Sequence, residues 1–295
     1  MCDLNEYLER RNSILRFLEE DIGSGDITSS SIVPTNKIVN AVILCNDLNE
    51  AVTCGLHDAE VVFELCNCEA HPLMNDGSIV RKGDAVMQIR GDARSVLKAE
   101  RTALNLIMRM SGIATLTRRF VNLVERYNPK VRIAGTRKTA PGLRYFDKKA
   151  IKTGGGYPHR MRLDEMVMIK DNHLAVTDSI EYSIRTARTK LGPAVRIECE
   201  VRNTEEAILA AKAGANVIMF DNFIPSEAES GIKAIREFGK FNDIEIELSG
   251  GITLNNVIDY VKAQPDLISV GQLTHSPNAV DYSLEIVKSV ERQEF

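Results

Sequence analysis

The sequence predicts an α/β protein: a small α+β unit, then parallel β/α architecture forming a closed or partly open barrel. Three observations carry this. After Asn128-Pro129 the chain alternates six short apolar runs with helical patterns, as parallel strands joined by right-handed crossovers require. Polar signatures recur just past each apolar run, and a β/α barrel gathers such ends at one mouth. No G-x-G-x-x-G follows a strand, since Gly154–Gly156 lacks that spacing, which argues against a nicotinamide cofactor site.

Leu4, Leu8, Ile14, Leu15 and Phe17-Leu18 lie at helical spacing, and the pattern ends before Gly23-Ser24-Gly25. Lys37–Cys45 reads as a strand and Leu56–Leu65 as a helix; Ser78–Ile89 reads as two short strands around Lys82-Gly83-Asp84. A helical face runs from Val96 to Met110, breaks at Ser111-Gly112 and resumes at Leu116, marking a domain junction. The six later strands are expected at Val131–Ala134, Met166–Ile169, Val195–Cys199, Val217–Phe220, Ile244–Leu248 and Leu267–Val270. Helices are expected at Asp178–Leu191, Glu205–Ala213, Ser226–Phe238 and Leu254–Lys262, with Asn203 and Thr253 as caps.

Composition bounds the function. With 44% apolar and 26% charged residues the chain is globular in type. No apolar run reaches membrane-span length, and the charged N-terminus is unlike a signal peptide, so a cytoplasmic address is expected. A formal net charge of -4 disfavours general nucleic-acid binding. The six cysteines include no C-x-x-C pair and read as free thiols in a reducing compartment.

Against that acidic balance, Arg132 to Arg162 holds nine Lys or Arg and one acid, Asp147. An anion is expected there. Arg137, Lys138, His159, Arg160 and Lys170 exceed what one phosphate needs and suggest a polyanionic substrate pair; Lys148, Lys149 and Lys152 read as a solvated helix face. His173 reads as an orienting residue or a ligand contact. Glu200 and Asp221 end successive strands and suit ribose hydroxyls or a Mg²⁺ carried by a diphosphate. Ser249-Gly250-Gly251, ahead of a capped helix, and Gly271 suit a phosphate.

These clusters, with Gly25–Thr28, Glu100–Asn105, Ser111–Thr115, Thr136–Thr139, Gly154–Arg160, Ile169–His173, Asp221-Asn222, Ser249–Thr253 and Ser269–His275, closely resemble the quinolinate phosphoribosyltransferase family across nearly the whole chain. The resemblance implies an N-terminal α/β sandwich domain (1–111) and a C-terminal open α/β barrel of type II phosphoribosyltransferase kind (112–295). A last helix at about 277–291 would pack back on the first domain. It implies transfer of phosphoribosyl from phosphoribosyl diphosphate to quinolinate with decarboxylation, in NAD biosynthesis, with Mg²⁺. Quinolinate would be held by Arg101, Arg137, His159, Arg160 and Lys170. Phosphoribosyl diphosphate would be held by Lys138, Glu200, Asp221, Ser249, Gly250, Gly251 and Gly271. Lys138, Lys170, Glu200 and Asp221 would be catalytic, with Mg²⁺ held mainly by substrate near the two acids. A homodimer is implied in which Arg101 serves the partner's site.

Gly135 and Pro158 depart from the family pattern, which usually has Asp and Asn there. Three other readings stand beside this one, the first a non-catalytic binding or scaffold protein that retains the fold. Pro158-His159-Arg160 also fits molybdenum-transport-associated relatives, and Lys170 at a strand end fits a Schiff-base aldolase.

Overall fold

The computed structural model describes residues 4–237, 241 and 243–287. In chain order the elements begin with α1 (Leu4–Ile22), α2 (Ile27–Ile32), β1 (Ile38–Cys45), β2 (Ala51–Val52), α3 (Leu56–Leu65), β3 (Glu69–Pro72), β4 (Ile79–Val80), β5 (Ala85–Asp92) and α4 (Ala93–Glu125). They continue with β6 (Arg132–Ala134), α5 (Arg144–Thr153), β7 (Val167–Ile169), α6 (Asp171–Leu174), α7 (Ile180–Leu191), β8 (Ile197–Val201) and α8 (Thr204–Ala213). The last are β9 (Val217–Asp221), α9 (Pro225–Glu237), β10 (Glu245–Ser249), α10 (Val257–Lys262), β11 (Leu267–Ser269), α11 (Gln272–His275) and β12 (Tyr282–Val287).

Two compact units result. One comprises Met1–Thr115, Tyr145–Gly154 and Pro277–Phe295; the other comprises Leu116–Arg144 and Gly155–Ser276. The first unit is built on an antiparallel sheet in the order β12-β1-β5-β3. Ile43, Met87 and Ile89 of this sheet are buried, as are Val62 and Phe63 of α3 and Ile14 of α1. Each such side chain contributes about 1.5–3 kcal/mol by leaving water.

Three expectations fail in this unit. The segment read as a final helix is the strand β12, antiparallel to β1 from Asn40↔Val287 to Cys45↔Tyr282; residues 288–291 lie outside the described ones. Helix α4 does not break at Ser111-Gly112 but runs through it. The two small residues form a packing notch instead. Ser111 Oγ accepts from the Cys54 amide at 2.9 Å, and a Cβ on Gly112 would sit 2.1 Å from the Asn278 carbonyl oxygen. Nor do the lysines of α5 form a solvated face. Lys152 is exposed, but Lys148 is buried and Lys149 Nζ lies 2.6 Å from the buried Asp58. Burial of that acid demands a counter-charge.

The second unit is a six-stranded parallel sheet in the order β6-β11-β10-β9-β8-β7. That is barrel order with one link missing, because among the described residues no pairing joins β6 to β7. All six predicted strands are present, several extended to include the polar residue at the end. Ile197, Cys199, Ile218, Phe220, Ile246, Leu248 and Ile268 are buried along the sheet, and Ile184, Ala207, Ala210, Ile232 and Ile235 on the helices. Burial on both faces explains why the strands read as mainly apolar runs.

Of the two predicted caps, Asn203 holds: its side chain accepts from the Glu206 amide at the start of α8. Thr253 does not begin a helix, since α10 starts at Val257. The Asn256 side chain accepts from the Thr253 amide at 2.7 Å, and residues 254–256 form turns ahead of the helix. Asn203→Ala should lower stability by about 1 kcal/mol, seen as a shift of about 2–4 °C in the thermal midpoint.

Candidate active site

The gap between β6 and β7 shapes the site. Segment 155–160 lies along the free edge of β6, where Tyr157 pairs with Ala134. The Tyr157 amide donates to Ile133 O at 2.8 Å, and the Gly135 amide donates to Tyr157 O at 2.9 Å. The chain continues directly into His159, a non-glycine residue at φ 58. That conformation costs about 1–3 kcal/mol and persists only where surrounding contacts hold it.

Those contacts are at hand. His159 Nε2 lies 3.1 Å from Glu247 Oε2 and 3.4 Å from Glu198 Oε2, and Nδ1 accepts from the Arg160 amide at 2.9 Å. Glu198 and Glu247 are fully buried, and Ser269 Oγ donates to Glu247 Oε1 at 2.5 Å. Burial lowers the affinity of the ring for a second proton. The bonds and charges of the two carboxylates favour that proton and raise the pKa, but Nδ1, which takes the Arg160 amide, leaves no place for it. Burial, then the charge of Glu247, raises Glu198. Both ring nitrogens of His159, which the resemblance places at the quinolinate carboxylates, are engaged within the protein.

Arg160 is 8% exposed. Its guanidinium donates to Met166 O at 3.2 Å and contacts Met168 Sδ at 3.2 Å, while its buried Nε has no hydrogen-bond partner. Arg137, past the end of β6, also has a buried Nε without a partner. Burial, and next the Arg137 charge, push Arg160 below the usual arginine value. Two neighbouring guanidiniums, with no carboxylate ion-paired to either among the described residues, form a site for an anion.

The other predicted residues stand at the neighbouring strand ends. Lys170 follows β7, and its Nζ lies 2.5 Å from Glu200 Oε2 on β8. The Lys170 amide donates to His173 Nδ1 at 2.9 Å, so His173 orients this turn. Asp221 ends β9. Burial and then the charge of Glu200 raise its pKa, while Lys170 and Lys138 lower it, so these four groups share one electrostatic environment. The Thr274 hydroxyl donates to Lys138 O at 2.8 Å, and a Cβ on Gly271 would lie 3.3 Å from Lys138 Cδ.

After β10, Gly250 takes φ 97 and Gly251 φ 60. The Asn222 amide donates to Ser249 O at 2.8 Å, binding this turn to the end of β9. Because α10 starts only at Val257, a phosphate here would meet the Ser249–Gly251 backbone and not a helix end. Arg101 is exposed on α4, in the other unit. Among the described residues no helix is long and apolar enough to cross a membrane.

Sequence models of the quinolinate phosphoribosyl transferase N-terminal and C-terminal domains match residues 26–111 and 113–285. The chain belongs to the quinolinate phosphoribosyltransferase family. A probable nicotinate-nucleotide pyrophosphorylase (carboxylating) of Methanocaldococcus jannaschii is 42% identical over 92% of this chain and 95% of its own length. The Bacillus subtilis protein of the same name is 37% identical over 98% and 97%. The solved nicotinate-nucleotide pyrophosphorylase of Francisella tularensis superposes with TM-score 0.86 at 32% identity, covering 95% of this chain and 96% of that one. Around these residues Glu247 contacts His159, Ser269 contacts Glu247, and Asn222 binds the Ser249–Gly251 turn. Glu247 left a trace in the sequence, an acid inside the apolar strand Ile244–Leu248.

Proposed function

We propose that this protein joins quinolinate to the phosphoribosyl group of phosphoribosyl diphosphate, releasing CO₂ and diphosphate and leaving nicotinate mononucleotide. The observation that carries this reading is the Arg137–Arg160 pair, two neighbouring guanidiniums each with an unpartnered buried Nε. A planar dicarboxylate supplies the acceptors they lack. The carboxylating pyrophosphorylases among its relatives support the same assignment.

Four bonding changes complete the reaction. The pyridine nitrogen bonds to C1 of the ribose as the C1–O bond to diphosphate breaks. The C2–carboxylate bond then breaks, leaving its electron pair at C2 beside the positive ring nitrogen, and a proton replaces the CO₂. Glu200 and Asp221 would face the positive charge developing on the ribose, while Lys138 and Lys170 would stabilise the departing diphosphate. The first two, a pair of carboxylates at adjacent strand ends, fit an oxygen-seeking ion and would flank a Mg²⁺ held mainly by the diphosphate, neutralising leaving-group charge when bound. The Ser249-Gly250-Gly251 turn and Gly271 would receive the 5′-phosphate. The ion pair of Lys170 with Glu200 disfavours the Schiff-base reading, which needs an unpaired amine. Nicotinate mononucleotide should form from quinolinate, phosphoribosyl diphosphate and Mg²⁺ together, and omission of any one should abolish it; product formed without phosphoribosyl diphosphate would refute the assignment.

The protein works as a homodimer in which Arg101 completes the partner's quinolinate site; its exposure and the family resemblance support this. Mixing inactive Arg101→Ala and Lys170→Ala subunits should restore activity, because one hybrid site regains both residues. Absence of any recovery in verified heterodimers would argue for self-contained sites.

A further inference from the structure

Quinolinate binding, on the reading above, needs Arg160 at a fixed place, yet the residue before it occupies a left-handed conformation that little in the local sequence favours. The chain of contacts holding it begins on β11, the strand next to β6 in the sheet. Ser269 on β11 donates to Glu247 on β10 at 2.5 Å, Glu247 meets His159 Nε2 at 3.1 Å, and His159 Nδ1 takes the Arg160 amide at 2.9 Å. An amide N–H points only at a nitrogen with a lone pair, so the proton of the neutral ring must be on Nε2. A second proton, which the two carboxylates favour, would have to go on Nδ1 and confront that amide. The hydrogen-bond geometry decides for the neutral Nε2–H ring, whose donor Glu247 accepts.

We propose that Glu247 is a positioning residue for the carboxylate site: it holds His159 as the Nε2–H tautomer, and the ring's Nδ1 fixes the left-handed turn that delivers Arg160. Its role is thus exerted through His159 and not by touching substrate. The inference rests on quinolinate being the substrate, so its test includes a readout independent of turnover.

That readout is ¹⁵N spectroscopy of histidine-labelled protein, with His159 assigned among the five histidines by its loss in His159→Asn. One pyridine-like and one pyrrole-like nitrogen are expected; two pyrrole-like nitrogens would overturn the proposal. His159, Glu198 and Glu247 bring ligating atoms within 4.8 Å of one another, so bound metal is checked in the same samples. A stoichiometric divalent ion that disappears in Glu247→Gln would also overturn it, because a ligated Nε2 carries no proton. In kinetics, Glu247→Leu should raise KM for quinolinate tenfold or more and leave KM for phosphoribosyl diphosphate within about twofold. Glu247→Gln, whose amide oxygen still accepts from Nε2–H, should return the quinolinate KM to within about threefold of the parent. Equal rises in both KM values, an unchanged quinolinate KM in folded Glu247→Leu, or no rescue by Gln would contradict the proposal. Should Glu247→Leu not fold, the spectrum and the Gln variant still decide. A parent protein inert towards quinolinate would remove the substrate reading, while the tautomer measurement would still judge the network.

Discussion

Arg137→Met should lower kcat/KM for quinolinate by about 10²–10³ while leaving the protein as stable as before, or slightly more so. The guanidinium is expected to give two charge-assisted bonds to a carboxylate, together about 3–4 kcal/mol after desolvation, and each 1.4 kcal/mol is tenfold in rate. Stability should not follow activity, because Arg137 has a buried Nε with no partner to lose and its charge opposes that of Arg160. Steady-state kinetics with thermal unfolding of the unliganded protein checks both. A loss of several degrees in the unfolding midpoint would assign Arg137 a structural task.

Gly250→Ala should be damaging in both respects. Alanine must adopt φ 97, and its Cβ would lie 2.3 Å from Asn222 Oδ1 and 2.7 Å from the Asn222 amide nitrogen. That amide carries the bond to Ser249 O, so the turn cannot yield without separating the ends of β9 and β10. Strain and the lost bond together cost about 2–4 kcal/mol, with KM for phosphoribosyl diphosphate raised at least tenfold. Gly251→Ala is the control. At φ 60, with nothing within 4 Å of the added carbon, it should cost about 1–2 kcal/mol. A KM for phosphoribosyl diphosphate unchanged in folded Gly250→Ala would place the phosphate elsewhere.

What the sequence disclosed divides by range. The six parallel strands could be read because burial on both faces makes each a mainly apolar run, and the Asn203 cap because it bonds three residues away. Hidden features depended on distant partners. Lys149 looks solvated until Asp58, 91 residues away, is placed beside it. Ser111-Gly112 looks like a helix break until the backbone of Asn278 fills the notch. Residues 282–287 became a strand because β1, far back in the chain, offers an edge to pair with. His159 belonged to the predicted set, but its contact with Glu247, 88 residues on, could not be read from its own neighbourhood.

The assignment turns on which pyridine acid is consumed. With phosphoribosyl diphosphate and Mg²⁺ present, quinolinate labelled in the 2-carboxylate should lose all of its label as CO₂, one per nicotinate mononucleotide formed, while nicotinate should give no nucleotide. Nicotinate turned over as fast as quinolinate, or label retained in the nucleotide, would contradict the account.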